Sequence, residues 1–176
     1  LIEAGADINA RTAFGATPLL WSAANDQKVR VLVDKAADVN ARSRWGNTAL
    51  LVAAAQAGNA DVLRFLLDHG AAIDKATNAI GQTPLLRAAQ ANDVAMVKLL
   101  LSRGENAKAR DAQGTTPLMS AAAQGNVPMM ELLLAEGADV NAQMEPHPAR
   151  ATKNGPINIG RLSPLMLAVG FSRNPA

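Results

Sequence analysis

One ten-residue phrase keeps returning along this chain: GATPLLWSAA at 15–24, GNTALLVAAA at 46–55, GQTPLLRAAQ at 81–90, GTTPLMSAAA at 114–123 and GRLSPLMLAV at 160–169. Five near-copies of one helix-sized segment restrict the fold more than any other feature, because a catalytic constellation is needed once and a building block many times. Between the Thr or Ser of successive phrases (Thr17, Thr48, Thr83, Thr116, Ser163) the gaps are 31, 35, 33 and 47 residues. A second marker (GADIN at 5–9, AADVN at 36–40, GAAID at 70–74, GENAK at 104–108, GADVN at 137–141) recurs at gaps of 31, 34, 34 and 33. Two independent markers with a period near 33 define an array of like units.

Each unit reads as a pair of helices. Gly15, Gly46, Gly81 and Gly114 stand two residues before the hydroxyl residue, and Gly160 three, where a tight turn needs backbone freedom. The hydroxyl suits an N-cap, and Pro18, Pro84, Pro117 and Pro164 take the first helical position, where a missing N–H is harmless. An alanine-rich first helix follows. Asp26, Asn59, Asn92 and Asn126 are expected to break it and cap a second helix. That helix is fatter, as in VLRFLL (62–67), MVKLLL (96–101) and MMELLL (129–134), and stops at Gly70, Gly104 or Gly137, where a left-handed C-cap falls. Ala36 holds that place in the first full unit, with an expected cost of about 1 kcal/mol if its backbone stays left-handed. One such pair cannot bury its apolar side alone, whereas a stack of them can. The expected fold is therefore an all-α repeat solenoid.

Composition narrows the chemistry. Of 176 residues 49% are apolar but only 3% aromatic, so the core must be built from Ala, Leu, Val and Met; Met129 and Met130 read as core filler. There is no cysteine, which removes disulfides, thiolate metal sites and thiol nucleophiles. The formal charge of +2 is far from the dense positive field of a nucleic-acid binder. His69 ends a helix and His147 stands alone in PHP, so neither belongs to a ligand cluster. Asp7, Asp38 and Asp139 recur with the repeat as turn residues, and no Walker or dinucleotide fingerprint appears. No apolar run is long enough to suggest a membrane span.

The GxTPL turn, the Ala pair, the LLL helix and the GADVNA tail resemble the ankyrin repeat over nearly the whole chain. The resemblance implies an L-shaped stack of about four full helix-turn-helix repeats with β-hairpin loops. Partial repeats are expected at both ends, as if this were a segment of a longer array. It divides the chain into one domain: a partial repeat at 1–11, repeats at 12–42, 43–76, 77–110 and 111–143, an insert at 144–160, and a partial repeat at 161–176. It further implies a non-enzymatic scaffold gripping a protein on its concave face and hairpin tips, to which the 142–162 insert is added here; no cofactor or metal is expected. The family's His after TPL is here Leu20, Leu51, Leu86, Met119 and Met166, so apolar contact is expected to replace its hydrogen bonds across repeats. The first full unit is two residues short, with the loss expected around 25–27, and the second is one residue long.

The last connection is the largest departure. Gly137 to Ser163 spans 26 residues against 12 from Gly104 to Thr116, and the excess falls within 142–162, at a loop tip. Asn154-Gly155 is a strong turn dipeptide, so a longer β-finger is expected, with Pro156 marking an irregular or edge strand. A neutral insertion is the alternative.

Two rows of residues are candidates for partner contact. The residue before each turn glycine is Phe14, Trp45, Ile80, Gln113 or Ile159, an unusually apolar column for exposed tips, with Trp45 the foremost hot-spot candidate. Packing of these residues on one another is the alternative. A basic row comprises Arg11, Arg42, Arg44, Lys75, Lys108 and Arg110, joined in the insert by Arg150, Lys153 and Arg161. If it is functional, the partner is an acidic or amphipathic protein segment; otherwise it only keeps the array soluble. Trp21, Val52, Arg87, Ser120 and Leu167 share one first-helix position, either semi-buried or lining the groove. A second function class stays open: a structural segment of a longer polypeptide, associating head-to-tail through uncapped ends. Polyanion binding through the basic row is a third and weaker class.

Overall fold

The computed structural model describes residues 6–73, 77–144 and 163–165, together with the backbone of 151–152 and 155–156. Among the described residues eight helices form four pairs: α1 (Pro18–Ser22) with α2 (Asp26–Asp34), α3 (Ala49–Ala54) with α4 (Ala60–Asp68), α5 (Pro84–Gln90) with α6 (Val94–Ser102), and α7 (Pro117–Ala123) with α8 (Val127–Ala135). First helices pack on neighbouring first helices (α1 on α3, α3 on α5, α5 on α7) and second helices on neighbouring second helices. Every substantial contact between these helices joins members of one pair or of adjacent pairs. This is the one-dimensional logic of a solenoid, in which burial accrues between neighbours.

Local chemistry starts and stops the helices as expected. Thr17, Thr48, Thr83 and Thr116 are N-caps whose hydroxyls accept from the backbone N–H of Leu20, Leu51, Leu86 and Met119. Second helices end in a left-handed residue: Gly70, Gly104 and Gly137 at φ near 80–87°, and Ala36 at φ 64°. Beyond each, a backbone N–H reaches back five residues in the Schellman manner, as from Ala71 to the Leu66 carbonyl at 2.9 Å.

The second-helix caps differ by one residue from expectation in two pairs. Asn25 rather than Asp26 caps α2, and Asp93 rather than Asn92 caps α6. Asn92 instead takes the left-handed turn at φ 59°, for which its short polar side chain is suited. Asn126 caps α8 as expected, but Asn59 makes no capping bond. Its amide Nδ2 donates to the Ala23 carbonyl of the preceding pair at 2.8 Å. The two residues missing from the first unit come largely out of the first helix: α1 has five residues where α5 and α7 have seven.

The core is a continuous line of small and branched side chains. Leu19, Leu50, Leu85 and Leu118 are buried at equivalent places in the first helices, with Ala23, Ala54, Ala89 and Ala122 one turn on. Leu63, Leu66, Met96, Leu100, Met129 and Leu133 are buried from the second helices, while Met130 packs at the edge. Leu20, Leu51, Leu86 and Met119, at the position that the family gives to His, are all buried. Fully burying each contributes roughly 2 kcal/mol.

Asparagine side chains clip units together. Asn9 accepts from the Asp38 N–H at 2.8 Å. Asn40 accepts from the Ala72 N–H at 2.8 Å and donates to the Gly70 carbonyl at 2.9 Å. Lys108 holds the equivalent place in the third pair, where it offers no acceptor. Glu105 replaces the buried alanine that follows the C-cap elsewhere (Ala37, Ala71, Ala138). One Glu105 oxygen accepts from the Leu85 N–H at 2.9 Å, and the other is buried without a geometrically adequate partner. Burial pushes its pKa up to about 7, against the opposing pull of the Leu85 N–H and the Thr83 hydroxyl.

Candidate partner-binding surface

Among the described residues, no strand forms in the connections between pairs. Each narrows to a tight turn: Gly15 N–H donates to the Thr12 carbonyl at 2.8 Å while Thr12 N–H donates to Ala16 at 3.0 Å, with equivalents at Ser43, Asn78 and Asp111. The first residue of every turn also lends a side-chain oxygen to the N–H four residues on, from Thr12 to Ala16, Ser43 to Asn47, Asn78 to Gln82 and Asp111 to Thr115. Thr, Ser, Asn and Asp differ in size but share an acceptor, and that shared chemistry was the overlooked signal at this position.

Successive turns are stitched in register. Arg44 N–H donates to the Phe14 carbonyl at 2.8 Å, Ala79 N–H to Trp45 at 2.8 Å, and Ala112 N–H to Ile80 at 2.9 Å. The approach is close enough that a Cβ on Gly15 would lie 3.1 Å from the Arg44 nitrogen, and φ is +73° there, so glycine is required twice over. This ladder aligns the tip residues into one column. Phe14, Trp45 and Ile80 are 55%, 53% and 44% exposed. Gln113 is half-buried.

The first two members of that column pack on one another without being buried. Phe14 and Trp45 stack on one another, ring centroids 5.2 Å apart and planes inclined by 22°, yet each keeps about half its surface open. Beside them lies a groove of about 330 Å³, walled by Phe14, Trp45, Leu20, Trp21 and Val52, with no acidic side chain in its lining. The shared first-helix position, left open by the sequence, divides along the stack. Trp21 is 76% exposed, Val52 and Arg87 are half-buried, and Ser120 is buried with its hydroxyl on the Thr116 carbonyl. Trp21 is thus the largest residue that the two candidate rows left out.

The basic row is tied down unevenly. Arg11 donates to the Arg42 carbonyl at 3.0 Å, and Arg42 donates to the Thr77 carbonyl. Arg44, Lys108 and Arg110 are exposed. Arg150, Lys153, Ile159 and Arg161, with Lys75 and His147, lie outside the residues whose side chains are described. Within the insert, Ala151–Thr152 pairs antiparallel with Gly155–Pro156, so Gly155 sits in a strand opposite Thr152 rather than at the turn expected for it. His69 closes α4, its Nδ1 2.8 Å from the Phe65 carbonyl. No group of three or more His, Cys, Asp or Glu side chains is placed to hold a metal ion among the described residues. No helix among them is long and apolar enough to cross a membrane.

A stack of helix pairs, joined by tight turns and bonded mainly to its neighbours, defines a class of repeat protein. The family model described as ankyrin repeats (three copies) matches residues 1–77 and again 70–144, and the chain belongs to the ankyrin-repeat family. Members are generally protein–protein interaction modules and typically non-enzymatic. No curated protein matches the chain.

Proposed function

We propose that this chain is a non-enzymatic protein-binding scaffold, and that the partner is held where the turn column meets the first helices. The groove between Phe14, Trp45 and Trp21 carries the reading. Large aromatic surface left open beside a rigid, bonded turn ladder is what binding hot spots are made of, because it removes much apolar area from water with little side-chain ordering. Ile80, Arg42, Arg44 and Arg87 extend the same surface, and Arg150, Lys153 and Ile159 of the insert are its further candidates. Affinity capture from an extract with the wild-type chain and a Trp21→Ser, Trp45→Ala variant tests it. A partner retained by the wild type and lost by the variant, at unchanged circular dichroism, supports the surface; equal recovery sinks it.

A second reading, self-association of like units, is supported by exposed apolar residues on the outermost described second helices: Val31 on α2, and Val127 and Leu134 on α8. Concentration-dependent light scattering separates the two, since a strict monomer at high concentration leaves only the first.

A further inference from the structure

Resting on that groove, we infer that its occupant is an extended acidic segment of another protein, with one large apolar side chain held beside Trp21 and Trp45 and a carboxylate met by Arg87. Trp21, Val52 and Arg87 each lie four residues after a capping threonine, on α1, α3 and α5, and these helices pack side by side. One row therefore runs from an open indole to a half-buried guanidinium. Arg87 Nε is enclosed without a hydrogen-bond partner, and its guanidinium makes no hydrogen bond or ion pair to the described residues. The second-helix side behaves differently: Arg30 pairs with Asp26 at 2.9 Å and Arg103 with Asp68 at 2.8 Å. The enclosed Nε lacks an acceptor, while the terminal nitrogens are not enclosed in the same way, and a carboxylate is the acceptor whose geometry matches them.

The turn side points the same way. Arg44 stands exposed immediately before Trp45 and has no ion-pair partner among the described residues. Arg44 adjoins the lining residue Trp45 in the chain, and Arg87 stands on the helix packed against that of the lining residue Val52, so an acidic ligand reaching past the groove meets a cation either way. Spacing turns this into a register. Packed helices stand about 10 Å apart, and an extended chain advances about 3.3 Å per residue. The carboxylate for Arg87 therefore belongs about three residues beyond a side chain over Val52, or about six beyond one over Trp21.

Both tryptophans of the chain line this groove, so intrinsic fluorescence reports its occupancy directly. The full chain is titrated with short tryptophan-free synthetic peptides: one with a central phenylalanine and glutamates at both spacings on either side, one with lysines for the glutamates, and one with serine for the phenylalanine. The glutamate peptide is expected to shift the emission and bind about tenfold or more tightly than the lysine peptide at low salt, with added salt narrowing the gap. Arg87→Met, which keeps the aliphatic stem, is expected to cut that preference about threefold or more at unchanged circular dichroism. Equal affinity for the two charged peptides, or a preference untouched by Arg87→Met, overturns the acidic assignment while leaving the groove in place. If no peptide moves the emission, the groove itself is refuted and this inference with it.

Discussion

The first two helix pairs and the last two share one core, one set of caps and one turn geometry, and differ in the side chains laid over them. The first two carry the stacked Phe14 and Trp45, the exposed Trp21, and the asparagine clips of Asn9 and Asn40. The last two bury Ser120 where the first exposes Trp21, put Lys108 where an asparagine clip would be, and place a half-buried Glu105 where the others have alanine. The difference teaches that a repeat constrains only those positions that every unit uses to stack. Positions that face outward or toward one junction are free to specialise, and here the aromatic surface collects at one end and the electrostatic oddities at the other.

The sharpest test of the shared part is a matched pair of core truncations. Leu50→Ala and Leu118→Ala should each cost about 2–5 kcal/mol of stability by urea denaturation, because both side chains are fully enclosed. A large disparity between them would show that the two halves do not share one cooperative core.

The next effect sets the halves apart by pH. Glu105 keeps a proton in the folded state to about pH 7 but only to its ordinary 4.5 when unfolded. The folded state thus binds that proton more tightly, and the stability it brings is full below 4.5 and lost as pH rises to about 7. The loss should be on the order of 2–3 kcal/mol. Glu105→Ala should flatten this slope in urea midpoints taken from pH 5 to 8 and leave the variant more stable than wild type at the upper end. An unchanged slope would mean that another group is responsible.

The clips give a smaller contrast. Asn40→Ala removes two bonds between units and should cost about 1–2 kcal/mol, whereas Lys108→Asn should gain up to about 1 kcal/mol by reaching the Gly137 carbonyl and the Asp139 N–H. Native-state hydrogen exchange at Ala72 and Asp139 would register both changes locally. Smallest is Ala36→Gly, expected to stabilise by about 1 kcal/mol because the alanine is held at φ 64°. A thermal midpoint that falls instead would show that the alanine methyl packs better than its backbone strain suggests.

Much of this was legible in the sequence because it is local. A threonine before proline caps whatever helix follows, and a glycine after an LLL run can close it in any fold, so α1 to α8 could be expected from short-range chemistry. Legibility failed where two adjacent residues could do the same job. Either of Asn92 and Asp93 can cap or turn, and only the loop geometry gives the turn to Asn92 and the cap to Asp93. It failed again at the shared first-helix position, since Trp21 and Ser120 have the same local surroundings and opposite exposure.

Period, caps, turn glycines and the alanine-leucine core therefore come from the linear code, since each depends on residues within a few positions of one another. Which aromatic rings stack, which indole stays open, which arginine is left without an acceptor and which glutamate is partly enclosed were settled only when one unit was laid against the next. Exposure, and pairing such as that of Arg103 with Asp68, belong to neighbours about 33 residues away in the chain, and no local pattern specifies what a side chain will meet there.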